Sequence, residues 1–230
     1  MEQRGLPAKG QIVNKSEVIQ QIRDIGVIPV VRATSADEAM RAIDAIREGG
    51  ISVLEITMTV PGAIKVIEEV SKRYGKDALV GAGTVLDPEI AEACVSSGAQ
   101  FVVSPALNLE TIACCQKLDV VVMPGALTPT EVVQAWNAGA DFVKVFPAGA
   151  LGGATYLKAL KAPLPQIELV PTGGVTLITA ADFIHAGAAA LGVGTDLVDL
   201  KAIREGQDAQ ITERAKQFLQ IVREAREAKG

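Results

Sequence analysis

Eight short apolar runs, each followed by a longer amphipathic segment, recur through nearly the whole of the 230-residue chain. The runs are Val27–Arg32, Ser52–Thr57, Leu79–Gly83, Phe101–Ser104, Val120–Pro124, Phe142–Phe146, Glu168–Pro171 and Ala190–Gly194. Their starts fall roughly 19–27 residues apart, the length of a strand, a helix and two short loops. Near-continuous apolar stretches such as Val120-Val121-Val122-Met123 suit strands buried on both faces, as parallel sheets require. Helix starts lie between them: Thr128-Pro129-Thr130-Glu131 combines an N-cap threonine, a first-turn proline and a capping-box glutamate, and Asp87-Pro88-Glu89 and Ser35-Ala36-Asp37-Glu38 are similar. Gly49-Gly50, Gly98, Gly139 and Gly187 stand where helices stop, ahead of every second strand, a weak internal repeat.

Eight β/α units predict an α/β fold of the (β/α)8 TIM-barrel type. A short N-terminal helix near Lys15–Ile25 and a C-terminal helical extension near Asp208–Ala228 flank it. The expectation is one domain over residues 1–230, with its core over about 25–198. An open doubly wound sheet would carry a glycine-rich dinucleotide loop after its first strand, and Val31-Arg32-Ala33-Thr34-Ser35 is not one.

Composition narrows the function classes. A formal net charge of -5 leaves no basic surplus for a phosphate backbone, so no nucleic-acid partner is expected. Mean hydropathy is +0.29, yet no run of about 18 uncharged apolar residues occurs, so no membrane span is expected. Met1 to Lys15 is polar and lacks the apolar centre of a secretory signal. Cys94, Cys114 and Cys115 form no Cys-x-x-Cys pair, which points to packed thiols in a reducing cytoplasm. His185 is the single histidine, which leaves almost nothing from which to build a Ser-His-Asp triad or a histidine-rich metal cluster, and it reads as a helix C-terminal residue. The charged run Glu213–Glu227 reads as a solvated helix face.

In such barrels chemistry gathers at the carboxyl ends of the strands. Of the twelve lysines, Lys144 alone interrupts a strand expected to be buried on both faces. Burial disfavours an ammonium relative to the free amine, and the free amine attacks carbonyl carbon. Glu55 is likewise a charge inside a strand. Strand parity puts Glu55 on the face of Val53 and Thr57, and Lys144 on that of Phe142 and Phe146. If both faces point inward, an acid/base stands near a Schiff-base nucleophile; the competing reading is a structural Lys144–Glu55 ion pair. Gly173-Gly174 and Gly194-Thr195 end the last two strands, where bare backbone amides beside a helix N-terminus suit phosphate. Gly81-Ala82-Gly83-Thr84 and Ser104-Pro105 either leave space for substrate, with Thr84 as a donor, or are tight turns.

On these residues the sequence resembles the bacterial class I aldolases that cleave 2-keto-3-deoxy-6-phosphogluconate, a family that also handles 4-hydroxy-2-oxoglutarate. Five segments carry the likeness between about Ile25 and about Val198: Val53-Leu54-Glu55-Ile56-Thr57, Val80-Gly81-Ala82-Gly83-Thr84, Val103-Ser104-Pro105, Val143-Lys144-Val145-Phe146-Pro147-Ala148 and Pro171-Thr172-Gly173-Gly174. The resemblance implies a metal-free, cofactor-free lyase, assembled as a homotrimer, acting on a phosphorylated 2-keto acid and pyruvate. Lys144 matches its Schiff-base lysine and Glu55 its acid/base. Thr84 and Pro105 line its keto-acid pocket, and Thr172, Gly173, Gly174, Gly194 and Thr195 face its distal hydroxyls and phosphate. Two positions depart from the pattern. Thr59 stands where many relatives have a carboxylate-binding arginine, making Arg32 the candidate substitute, and Gly149 stands where many have glutamate, which leaves a galactonate-derived epimer open. The rival readings are an isomerase or synthase on a phosphate-binding barrel, a pyridoxal phosphate enzyme, and a scaffolding trimer without activity.

Overall fold

The structure, a computed structural model, describes residues 14–228. The polar amino-terminal segment discussed above therefore lies, for residues 1–13, outside the described residues. Nine strands follow in chain order: β1 (Val27–Val31), β2 (Val53–Thr57), β3 (Leu79–Gly83), β4 (Phe101–Val103), β5 (Val121–Met123), β6 (Gly125–Ala126), β7 (Val143–Val145), β8 (Leu169–Pro171) and β9 (Leu191–Val193). All pairings between them are parallel. They form a six-stranded sheet in the order β5-β4-β3-β2-β1-β9 and a three-stranded sheet in the order β6-β7-β8. A single parallel bridge, Thr172 to Gly192, links the ends of β8 and β9. On the other side β5 and β6 are separated by Pro124 alone.

The fifth expected strand is thus divided, for a local reason. Pro124 has no N–H to offer a ladder, while its carbonyl accepts the Lys144 N–H at 2.9 Å. Val121–Met123 accordingly pair with β4, and Gly125–Ala126 with β7. Gly125 is also a point of close approach, because a Cβ there would stand 2.2 Å from the Pro105 carbonyl.

Helices fill the connections: α1 (Lys15–Ile25), α2 (Ala36–Glu48), α3 (Ala63–Tyr74), α4 (Pro88–Ser96), α5 (Leu109–Lys117), α6 (Pro129–Asn137), α7 (Ala154–Lys161), α8 (Ala180–His185), α9 (Leu200–Arg204) and α10 (Ala209–Glu227). The caps read from the sequence are formed. Ser35, Asp87 and Thr128 accept from the amides of Glu38, Ile90 and Glu131, and Glu131 closes a capping box at α6.

Side chains alternate between two cores. Val31, Leu54, Val80, Val102, Val143 and Leu191 pack toward the helices, whereas Ile28, Val53, Leu79, Phe101, Phe142 and Val170 gather in a second cluster with Val18 and Ile22 of α1. Each such buried aliphatic or aromatic side chain contributes about 1.5–3 kcal/mol. Helix α1 lies across the amino ends of the strands, since its partners immediately precede them: Lys15 to Asp141 at 3.0 Å, Gln21 to Ser52 at 3.2 Å and Arg23 to Glu168 at 3.4 Å. The amino half of the inner space is therefore filled with hydrocarbon, and functional groups are left to the carboxyl half.

Candidate active site

The shared inner cluster settles which way the two strand charges point. Val53 and Phe142 both belong to it, so Glu55, two residues after Val53, and Lys144, two after Phe142, face the same interior. Lys144 is 3% exposed. Its register partners, Gly125 on β6 and Val170 on β8, carry no polar side chain. The amine lies 5.3 Å from the centre of the Phe146 ring, and among the described residues it makes no hydrogen bond or ion pair. A ring face attracts a cation but satisfies none of its donors, so the amine keeps its hydrogen-bonding capacity for another partner.

Glu55 is 3% exposed and pairs with Val30 on β1 and Gly81 on β3. Its carboxyl rests on bare backbone, for a Cβ on Gly83 would lie 2.0 Å from Oε1. Oε1 is buried without a hydrogen-bond partner among the described residues. Burial raises this carboxyl above the ordinary carboxylate range, and the nearby charges of Lys144 and then Arg32 only partly oppose it. The structural alternative, a direct Lys144–Glu55 ion pair, is not formed among the described residues. What exists instead is a buried carboxyl whose hold on a proton is strengthened by desolvation, suited to giving and retaking one.

Gly81 and Gly83 do not leave room for substrate, as one sequence-based expectation had it. The Phe101 ring occupies the place of a Gly81 side chain, at 2.2 Å from a hypothetical Cβ, and Glu55 occupies that of Gly83. Thr84, immediately after β3, is half-buried at φ 59. A β-branched residue in the left-handed region is an outlier, and such strain concentrates at functional sites.

Around the rim, Arg32 is exposed and shares the inward parity of Ile28 and Val30. It lines a cavity of about 200 Å³ with Val30, Gly194, Thr195, Val198, Asp199 and Leu200. The structure thus groups Arg32 with the loop after β9. Asp199 adds no free acceptor there, because it caps Lys201 and Ala202 and meets Arg214 at 3.5 Å. The Lys201 and Ala202 amides at the start of α9 thus already have a carboxylate. The amides of Gly174 and Thr195, by contrast, donate to no backbone acceptor among the described residues. Thr172 is buried, with its hydroxyl in the space that a Gly192 side chain would need. Gly173 lies over Phe146, and Gly149 packs on Gly174, where a Cβ at Gly149 would approach the Gly174 Cα to 2.9 Å. Pro105 is half-buried beside Gly125.

Strand parity places Phe146 and Thr57 on the faces of Lys144 and Glu55 but gives neither a role at the site. The Phe146 ring lies between Lys144 and Gly173. Thr57 is fully buried, donates to the Val31 carbonyl at 3.1 Å and meets Thr59 at 2.6 Å, which ties the strand-one and strand-two rims together. His185 ends α8 and is exposed, as read. The buried thiols of Cys94 and Cys115 are pushed up to about 11 and about 12, against a nucleophilic role.

Comparison with known proteins gives the family. The family model for KDPG and KHG aldolase (KDPG being 2-keto-3-deoxy-6-phosphogluconate) matches residues 18–214. A 2-dehydro-3-deoxy-phosphogluconate aldolase of Treponema pallidum is 36% identical over 89% of this chain and 97% of its own. A 2-dehydro-3-deoxy-6-phosphogalactonate aldolase of Escherichia coli is 38% identical over 86% of this chain and 95% of its own. Among solved structures, a KDPG aldolase from Legionella pneumophila, captured with pyruvate as a covalent carbinolamine, superposes with a TM-score of 0.78 at 31% identity, covering 89% of this chain and 97% of that one.

Proposed function

This chain belongs to the KDPG and KHG aldolase family and is therefore a carbon–carbon lyase, and from that premise we propose that it cleaves 2-keto-3-deoxy-6-phosphogluconate to pyruvate and glyceraldehyde 3-phosphate, with Lys144 as the covalent amine and Glu55 as the acid/base. The observation that carries the reading is the Lys144 amine, without a hydrogen bond or ion pair among the described residues, sharing one interior with the buried Glu55 carboxyl, which desolvation raises above the ordinary carboxylate range. The two sheets are read as one closed (β/α)8 barrel, supported by the Thr172–Gly192 bridge on one side and the continuous chain through Pro124 on the other. One catalytic unit of this kind, working as a homotrimer in the cytoplasm, is the form in which we take it to act.

In this mechanism Lys144 gives a proton to solvent and adds to the C2 ketone as the free amine. Glu55 gives its proton to the carbinolamine oxygen, water leaves, and an iminium forms. The resulting Glu55 carboxylate takes the proton of the C4 hydroxyl as the C3–C4 bond breaks, and that electron pair moves onto the iminium nitrogen. Glyceraldehyde 3-phosphate departs, the enamine is protonated at C3, and water releases pyruvate and the free amine. The protonated imine is itself the electron sink. Thr84 and Pro105 border the keto-acid end, and Thr172, Gly173, Gly174, Gly194 and Thr195 the hydroxyls and phosphate. Arg32 supplies the cation for an anionic end of the substrate, in the role left open by Thr59. Arg32→Ala is expected to raise KM for the keto acid by about tenfold or more with kcat little changed, as loss of uniform binding does; unchanged KM removes Arg32 from the site.

A second substrate reading, the galactonate epimer, is favoured by the 38% identity to the phosphogalactonate aldolase and by Gly149, which leaves the loop beside Gly174 without a side chain. The test offers both phosphorylated epimers and 4-hydroxy-2-oxoglutarate to the purified protein and compares pyruvate release. Pyruvate from a phosphorylated epimer supports the proposal, the ratio of kcat/KM values assigns the epimer, and no pyruvate from any of the three rejects it.

A further inference from the structure

Outside the residues that would touch substrate, one polar cluster joins two segments of the rim that are far apart in sequence. Glu38, on the first turn of α2, accepts four hydrogen bonds: from the Thr34 amide at 3.1 Å, the Thr34 hydroxyl at 2.7 Å, Arg204 Nε at 2.7 Å and Arg204 Nη2 at 3.3 Å. Arg204 Nη2 also donates to the Thr34 hydroxyl at 3.1 Å. Thr34 lies two residues beyond Arg32, and Arg204 lies one turn beyond Leu200, so the cluster fastens the segment carrying Arg32 to the segment bearing Thr195, Asp199 and Leu200. Both segments line the same cavity.

We propose that Glu38 and Arg204 are positioning residues which set the separation of Arg32 from the Gly194-Thr195 loop, and so the affinity of the site for the anionic end of its substrate. The inference rests on the aldolase reading for the identity of that substrate. Exposed ion pairs are ordinarily worth little, but a bidentate arginine on a carboxylate that also holds a loop amide is a fixed geometry rather than a loose pair. Misplacing a binding group by about 1 Å is enough to cost a large factor in binding or rate. The hydrogen bonds from Arg204 and Thr34 hold the Glu38 carboxyl down to about 2, so the clamp is ionised at any ordinary assay pH and its effect is not a titration.

Charge and position make opposite predictions for Glu38→Gln. Removing a negative charge from beside an anion site should tighten anion binding if only the electrostatic field matters. Loosening the clamp should weaken it. We expect Glu38→Gln and Arg204→Ala each to raise KM for the phosphorylated keto acid, and Kd for inorganic phosphate, by about tenfold, with kcat and covalent capture of pyruvate at saturation unchanged. Arg73→Ala, which breaks an exposed pair with Asp44 elsewhere, should change neither. Amide hydrogen exchange on the same proteins gives a readout independent of activity: Glu38→Gln should speed exchange both at residues 32–35 and across the chain at 194–198. A lower KM or phosphate Kd in Glu38→Gln, or faster exchange confined to 32–35, overturns the proposal. If the unaltered protein cleaves no keto acid the aldolase reading has failed, and the exchange pattern and phosphate affinity still decide the clamp.

Discussion

Lys144→Met is expected to lower kcat for keto-acid cleavage by at least about 10⁴-fold, because the whole covalent route passes through one amine and no other group in the interior can replace it. The same change should not unfold the protein. Methionine has nearly the same length as lysine, and the site is bounded by Phe146, Val170 and the backbone of Gly125. The amine it removes makes no hydrogen bond or ion pair among the described residues, so no native polar contact is lost with it. Tm should therefore hold or rise while activity vanishes. Kinetics beside a melting curve on one preparation measure both, and loss of fold with loss of activity would reduce Lys144 to a structural residue.

Glu55→Gln is the second large effect, a fall in kcat of about 10²–10⁴-fold, the usual contribution of a positioned acid/base. Its stability consequence depends on pH in a defined direction. Burial raises the Glu55 carboxyl above its unfolded value, so between the two values the folded chain binds a proton that the unfolded chain has lost. The stability this group contributes is full below the ordinary carboxylate range and declines as pH rises through the raised value. Glutamine has no proton to lose. The Tm of Glu55→Gln minus that of the unaltered protein should consequently grow as pH is raised from about 4 toward neutrality. A difference that shrinks over that interval would mean that Glu55 is stabilised as a carboxylate, contrary to the proton-donating role assigned to it.

The elements of this fold were legible because local chemistry and global pattern agree in it. The capping box at Thr128–Glu131, the caps at Ser35 and Asp87, and the short helix ending at Ile25 all form where the sequence puts them. The fifth strand was read as continuous because its apolar run is continuous; its division depends on Pro124 standing where the chain passes from one neighbour to the next, which is a tertiary fact. At the site, Lys144 and Glu55 were visible as charges inside apolar strands. Their common face was not, because parity orders each strand internally and says nothing of how two strands are rotated against each other. Phe146 was visible on the face of Lys144, but its contacts with the amine and with Gly173 depend on tertiary placement. The Glu38–Arg204 contact spans 166 residues and joins two ordinary surface side chains, so no local signal marks it. The Gly81 and Gly83 positions were left open between substrate space and tight turns, because an absent side chain does not reveal which neighbour fills the gap.

The central claim, that Lys144 condenses with a ketone, is tested most directly by incubating the unaltered protein with pyruvate and borohydride and mapping the modification by peptide mass spectrometry. The account predicts one reduced pyruvyl group per chain, on Lys144 alone, with activity lost in proportion. Full cleavage activity in a protein that acquires no such group, or acquires it on another lysine, would contradict it.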